Sequence, residues 1–147
     1  MPNPFVTMNI TPKSGTKFSV PNVIDCSYSV ERSPGVDGAL GQTYYDVLPI
    51  RVRRRVSLPG DGLAQVEGET IKLAAATGQN AYFKGEVTLA RADDPAAVIR
   101  TLRWDKGHIC RLTCDVDGDE IIESFDVSVT SLTIDDQALK RAPSAKS

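Results

Sequence analysis

Apolar and polar residues alternate along most of this chain, and the period is two. Val6, Met8 and Ile10 alternate with Thr7 and Asn9, and Lys17 to Val20 follows the break Thr11-Pro12-Lys13-Ser14-Gly15-Thr16. Pro presets one turn torsion and Gly permits another, so the two runs predict a hairpin. Ile24, Cys26, Tyr28 and Val30 alternate with Asp25, Ser27, Ser29 and Glu31, which predicts an amphipathic strand with the first set inward. From Asp46 to Val56, Leu48, Ile50, Val52 and Val56 share one face, interrupted by Arg54, while Pro49, Arg51, Arg53 and Arg55 share the other. Pro49 has no N–H to give a ladder, so an edge strand or a bulge is expected there.

Phe83, Val87 and Leu89 share a face, Asp93-Asp94-Pro95 reads as a turn, and Val98, Leu102 and Trp104 align after it. Asp105-Lys106-Gly107 reads as a further turn. Cys110, Leu112, Cys114 and Val116 then line one face, and Asp117-Gly118-Asp119 closes a tight hairpin. Ile121, Phe125, Val127 and Val129 have one parity, Leu132 and Ile134 the other, so a bulge or strand end is expected near Thr130-Ser131. The one helix candidate is Leu63 to Thr77. At 100° per residue, Leu63, Val66, Thr70, Ile71, Leu73 and Ala74 fall within an arc of about 160°, into which Glu67 intrudes. Asp61 is a candidate cap and Gly78 a candidate stop. The fold class is therefore mainly β: an antiparallel β-barrel or sandwich with one α-helix. One domain over residues 1–137 is expected, with a polar, mobile tail over 138–147.

Composition narrows the function classes. The 147 residues suit one domain, and 41% apolar with 24% charged residues argues against wholesale disorder. With 17 basic against 19 acidic side chains the chain lacks the basic excess of a nucleic-acid binder. No apolar run approaches the roughly 20 residues that span a bilayer, so membrane insertion is not expected. Met1 to Phe5 has no charged n-region or apolar h-region, and three cysteines is an odd count, so synthesis in a reducing cytoplasm is expected.

The search for chemistry returns little. His108 and Cys110 sit two apart on a strand without an orienting third group, which is a weak nucleophile pair. Cys110 and Cys114, four strand residues apart, stand about 13 Å from each other and do not form a disulfide; they read as buried small hydrophobes. Asp115-Val116-Asp117-Gly118-Asp119 imitates the start of a calcium loop, but Glu120 stands where that loop requires glycine. No phosphate loop or nucleophile elbow is present. The chain reads as a non-enzyme that needs no cofactor or metal. Two features remain. Arg51, Arg53 and Arg55 form a stripe about 13 Å long, which suits a solvated edge, ion pairing with an acidic neighbour or the lining of a passage. Ser33 to Thr43 holds three glycines and a proline, yet carries Val36, Asp37 and Leu40 and ends at Tyr44 and Tyr45. It is either a surface excursion or a docking arm.

Several stretches also resemble a known family. Val23-Ile24-Asp25-Cys26-Ser27-Tyr28-Ser29-Val30-Glu31-Arg32, Ala81-Tyr82-Phe83-Lys84-Gly85-Glu86-Val87-Thr88-Leu89, Thr101-Leu102-Arg103-Trp104-Asp105-Lys106-Gly107-His108-Ile109 and Ser124-Phe125-Asp126-Val127-Ser128-Val129-Thr130-Ser131 occur in one order. Together they are similar to the tube proteins of type VI secretion systems (the haemolysin-coregulated proteins, Hcp or TssD, especially the Bacteroidetes form) and to phage-like tail tubes. The resemblance implies a β-barrel subunit with a helix alongside. It further implies closure into homohexameric rings that stack as a hollow tube inside a contractile sheath. Sheath, spike and baseplate proteins and effector cargo are then the partners, and the tube is exported on firing. On that basis Val36, Asp37, Leu40, Tyr44 and Tyr45 are expected to stack rings, and Arg51, Arg53 and Arg55 to face the lumen or the sheath. A monomeric β-barrel binding module and a baseplate or terminator component are the alternatives.

Overall fold

A computed structural model describes residues 5–13, 15–33, 44–47, 49–56 and 68–140, and of residues 32, 33, 44–47, 95 and 140 the backbone alone. The alternating runs become strands: β1 (Phe5–Pro12), β2 (Phe18–Ser19), β3 (Val23–Ser27), β4 (Val30–Ser33), β5 (Tyr44–Val47) and β6 (Ile50–Arg55). After helix α1 (Glu69–Ala75) and a 3-10 turn (Gly78–Ala81) come β7 (Phe83–Arg91), β8 (Asp94–Asp117), β9 (Glu120–Val129), β10 (Ser131–Ile134) and β11 (Gln137–Lys140). All the pairings among these strands are antiparallel. The main sheet runs β2-β1-β7-β8-β9-β6-β3, with β10 and β11 joined to it through β8; β4 and β5 pair separately. Cα atoms of β3, at one end of this path, come within 8 Å of β1 near the other.

The core is the inward parity of each strand. Met8 and Ile10 of β1, Ile50 and Val52 of β6, Phe83 and Val87 of β7, Leu102 and Trp104 of β8, and Phe125, Val127 and Val129 of β9 are all buried. Gly85 is the direct partner of Trp104 across the β7–β8 ladder, and the indole lies flat over it. A Cβ at Gly85 would overlap Cζ2 and Cε2 of the ring, and one at Gly107 would stand 2.7 Å from Nε1. Two glycines thus make the slot for the single tryptophan, whose edge also meets the Phe83 ring at 6.3 Å.

Several local expectations are corrected. Asp105-Lys106-Gly107 is not a turn: β8 continues through it, absorbing the extra residue where its register with β7 shifts between Phe83 and Gly85. Asp94 and Pro95 already belong to β8, so the turn before it falls at Ala92 and Asp93. A second shift, between Ile109 and Arg111, leaves Cys110 out of the ladder, and Cys110 and Cys114 are exposed, not buried. Val98 is exposed as well, because the β7–β8 register shifts again near Ala90. Pro49 stands just ahead of β6, an interior strand between β9 and β3, so its missing N–H interrupts no ladder. The strand expected over Ile24 to Glu31 is divided into β3 and β4. Within α1, Thr70 and Leu73 are buried but Ile71 faces outward; Asp61, Leu63, Val66 and Glu67 lie outside the described residues. Gly78, at φ +60°, opens the 3-10 turn instead of closing the helix, whose last cap is the extended Ala76. β11 crosses the expected domain edge at residue 137, and residues 141–147 lie outside the described set.

Other expectations hold as the parity rule requires. The β1–β2 hairpin is present, with Asn9 opposite Ser19. Gly118, at φ +63°, sits in the left-handed turn that closes β8 onto β9. The parity change at Thr130 is a strand end between β9 and β10, where the Thr130 N–H donates to the Lys106 carbonyl at 3.4 Å.

Candidate functional site

Strand β6 carries charge on both faces. Arg51, Arg53 and Arg55 point outward and are exposed, as their parity demands. Each meets a carboxylate. Arg51 Nε donates to Asp126 Oδ1 at 3.0 Å, and Asp126 is its ladder partner on β9. Arg53 Nη1 donates to Asp25 Oδ2 at 2.9 Å, and Asp25 is its ladder partner on β3. Arg55 Nε donates to Glu120 Oε1 at 2.7 Å. The hydrogen bond and charge of Asp126 raise the Arg51 pKa above its ordinary value. The basic stripe is thus a band of alternating sign spread over three strands.

On the inward face the interrupting Arg54 is buried, with Nε donating to Glu123 Oε1 at 2.9 Å. The Thr70 hydroxyl of α1 donates to the same oxygen at 2.9 Å. Sequence inspection singled out Arg54 only as an interruption and passed over Glu123, although Glu123 has the inward parity of Phe125, Val127 and Val129. That parity was the signal. A charge in the core position of each of two strands needs a partner of opposite sign.

Of the docking-arm residues, Val36, Asp37 and Leu40 lie outside the described residues. Tyr44 and Tyr45 open β5, opposite Ser33 and Arg32 of β4, and β5 lies beside β11. The structure therefore brings the arginine band together with three acidic partners, while Tyr44 and Tyr45 belong to the separate β4–β5 pair.

The His108 ring stands edge-on to Tyr82 at 5.6 Å, and Lys106 Nζ sits over the Tyr82 ring, 4.4 Å from its centroid. Cys110 Sγ lies 3.5 Å from the Asp126 carbonyl oxygen. Neither arrangement supplies a base and an orienting group for a nucleophile. Among the described residues no group of three or more His, Cys, Asp or Glu side chains is placed to hold a metal ion. Burial, and secondarily the Asp25 charge, push the Cys26 thiol up to about 12. Among the described residues no helix is long and apolar enough to cross a membrane.

No family model matches the chain, and no curated protein does either. Solved structures do match. Hcp1 from Flavobacterium johnsoniae is 14% identical over 92% of this chain and 99% of that one, with a TM-score of 0.59. The Hcp1 protein from E. coli EAEC 042 is 11% identical over 90% of each chain, with a TM-score of 0.65. A chain of the anti-feeding prophage baseplate is 11% identical over 88% of this chain and 91% of that one, with a TM-score of 0.53. At these identities the likeness is one of fold: a mainly antiparallel β-sheet with one helix, shared along nearly the whole length of both chains.

Proposed function

We propose that this protein is a structural subunit of the inner tube of a contractile injection apparatus of the type VI secretion kind. In this proposal its sheet closes into a barrel, copies close into hexameric rings, and stacked rings carry effectors inside a sheath on a baseplate. The observation that supports it most is the shared fold with Hcp proteins over about nine-tenths of both chains or more. A second support is the open margin of the sheet. The short end strand β2 pairs with β1 on one edge, and an end strand offers the N–H and C=O groups of its other edge to another copy. The arm residues Val36, Asp37, Leu40, Tyr44 and Tyr45 are assigned to contact with the next ring. The band of Arg51, Arg53 and Arg55 is assigned to a lumen or sheath face, where its carboxylates would moderate its charge.

A baseplate component of the same fold is the second reading, favoured by the likeness to the anti-feeding prophage baseplate chain. Negative-stain micrographs and light scattering of the purified protein test both. Sixfold rings that stack support the tube, and rings that never stack support the baseplate. A particle that stays near 15.9 kDa at high concentration overturns both.

A further inference from the structure

The β8–β9 hairpin ends in a ribbon with two unlike faces. Val116 and Ile121 are direct cross-strand partners, and they continue the parity of Leu112 and Phe125 beyond the core. Val116 is 75% exposed and Ile121 39%. The opposite face carries Asp115 and Asp117, across from the buried Ile122 and from Glu120, and Asp119 stands in the turn; the three aspartates are exposed. Exposed paired apolar residues with carboxylates beside them at a hairpin tip have the chemistry of a docking element.

Beside the middle of β8, where its ladder with β9 begins, lies a cavity of about 410 Å³. Pro12, Tyr82 and Phe83 give it apolar walls, and Lys13, Lys84 and Lys106 stand around it with one carboxylate, Asp105. Lys13 Nζ donates to Gln79 Oε1 at 3.3 Å, Lys106 rests on Tyr82, and all three lysines are exposed. The cavity is therefore apolar inside and positive at the rim, the counterpart of a tip that is apolar on one face and negative on the other. Between Gly107, beside the cavity, and Asp117, at the tip, ten strand residues span about 33 Å. The two complementary surfaces occupy opposite ends of one ribbon.

We propose that the occupant of this cavity is the β8–β9 hairpin tip of a second copy of the chain, Val116 and Ile121 entering between Pro12 and Tyr82 while Asp115, Asp117 and Asp119 meet Lys13, Lys84 and Lys106. The contact is head to tail, and such contacts generate rings when the rotation closes and filaments when it does not. It rests on the assembly proposed above and names the surfaces that carry it.

Two charge-reversed full-length variants test it: Lys13→Glu with Lys84→Glu, and Asp117→Lys with Asp119→Lys. Wild-type protein is expected to assemble, and each variant alone to need at least tenfold higher concentration for the same particle size by light scattering. An equimolar mixture of the two restores assembly, because the intact tip of the first variant meets the intact cavity of the second, and the two reversed surfaces meet with opposite charge. Circular dichroism confirms that both are folded, and should either reversal fail to fold, Lys13→Gln with Lys84→Gln and Asp117→Asn with Asp119→Asn give the same weakening in smaller measure. Wild-type assembly with variants that assemble equally well, or with a mixture that is not restored, overturns this contact and leaves the tube intact. If inorganic phosphate or a free acidic peptide occupies the cavity without changing assembly, the contact is overturned too. A wild-type protein that remains monomeric overturns the assembly itself.

Discussion

Arg54 and Glu123 stand directly opposite each other on β6 and β9, both turned into the core, with 2.9 Å between Arg54 Nε and Glu123 Oε1. Thr70 completes the group from α1, so the pair fixes the helix to the sheet as well as strand to strand. A buried ion pair gains little over apolar residues of the same volume, but removing one partner leaves an uncompensated charge. Arg54→Ala or Glu123→Ala is expected to cost about 3–5 kcal/mol in denaturant unfolding. Arg54→Met combined with Glu123→Leu is expected to recover most of that loss, and a double variant as unstable as the singles would refute the pairing.

Gly85 is kept open by the indole of Trp104. Gly85→Ala places a methyl inside the ring, and the overpacking is expected to cost about 1–3 kcal/mol. Trp104 is the only tryptophan, so its emission reports the slot without labelling. The wild type should emit at short wavelength, and Gly85→Ala should shift the maximum to the red and lower the melting temperature. An unshifted spectrum with unchanged stability would show that the slot is not closed.

The outward arginines behave differently. Arg51, Arg53 and Arg55 form exposed pairs, and such pairs contribute about 0–1 kcal/mol each. Changing all three to Gln is expected to leave the monomer fold nearly as stable, in contrast to Arg54→Ala alone. A loss as large as that of the buried pair, measured by urea unfolding, would contradict this division of labour.

Thiol titration separates the cysteines. Cys110 and Cys114 are exposed and should react readily with a disulfide reagent at neutral pH, whereas the half-buried Cys26 should react more slowly and gain speed on unfolding. The Cys26 thiol has a folded pKa near 12 against an ordinary 9.0. Between these values the unfolded chain holds fewer protons than the folded one, so stability falls as pH rises through that window. Below 9 the contribution is fully present. Cys26→Ala should flatten the alkaline decline, and an identical decline would assign it to other groups.

Deleting Val36 to Leu40 is expected to leave rings that no longer extend into long tubes. Filaments of unchanged length in negative-stain images would remove the arm from the stacking contact.

Much of the fold was legible because a half-buried strand writes its parity into the sequence. Ile50 and Val52 against Arg51 and Arg53, or Phe125 and Val127 against Asp126 and Ser128, could be assigned face by face. The failures came where parity is reset by a neighbour. The bulge at Cys110 turned a residue that looked internal outward, and Asp105-Lys106-Gly107 kept its turn-like composition while serving as strand. Both depend on register with a strand far along the chain. Arg54 illustrates the same limit in the candidate site. Its local pattern says core and its charge says surface, and only Glu123, 69 residues away, reconciles the two.

β8 spans 24 residues without leaving the sheet, held by β7 on one edge and by β9 and β10 on the other. Antiparallel ladder bonds lie perpendicular to the strand. A pull along this axis therefore loads many of them at once in shear, so they do not peel open one by one. Mechanical tension applied at the Gly118 turn is shared along the strand and carried toward the tryptophan slot, which makes β8 the tensile member of the fold.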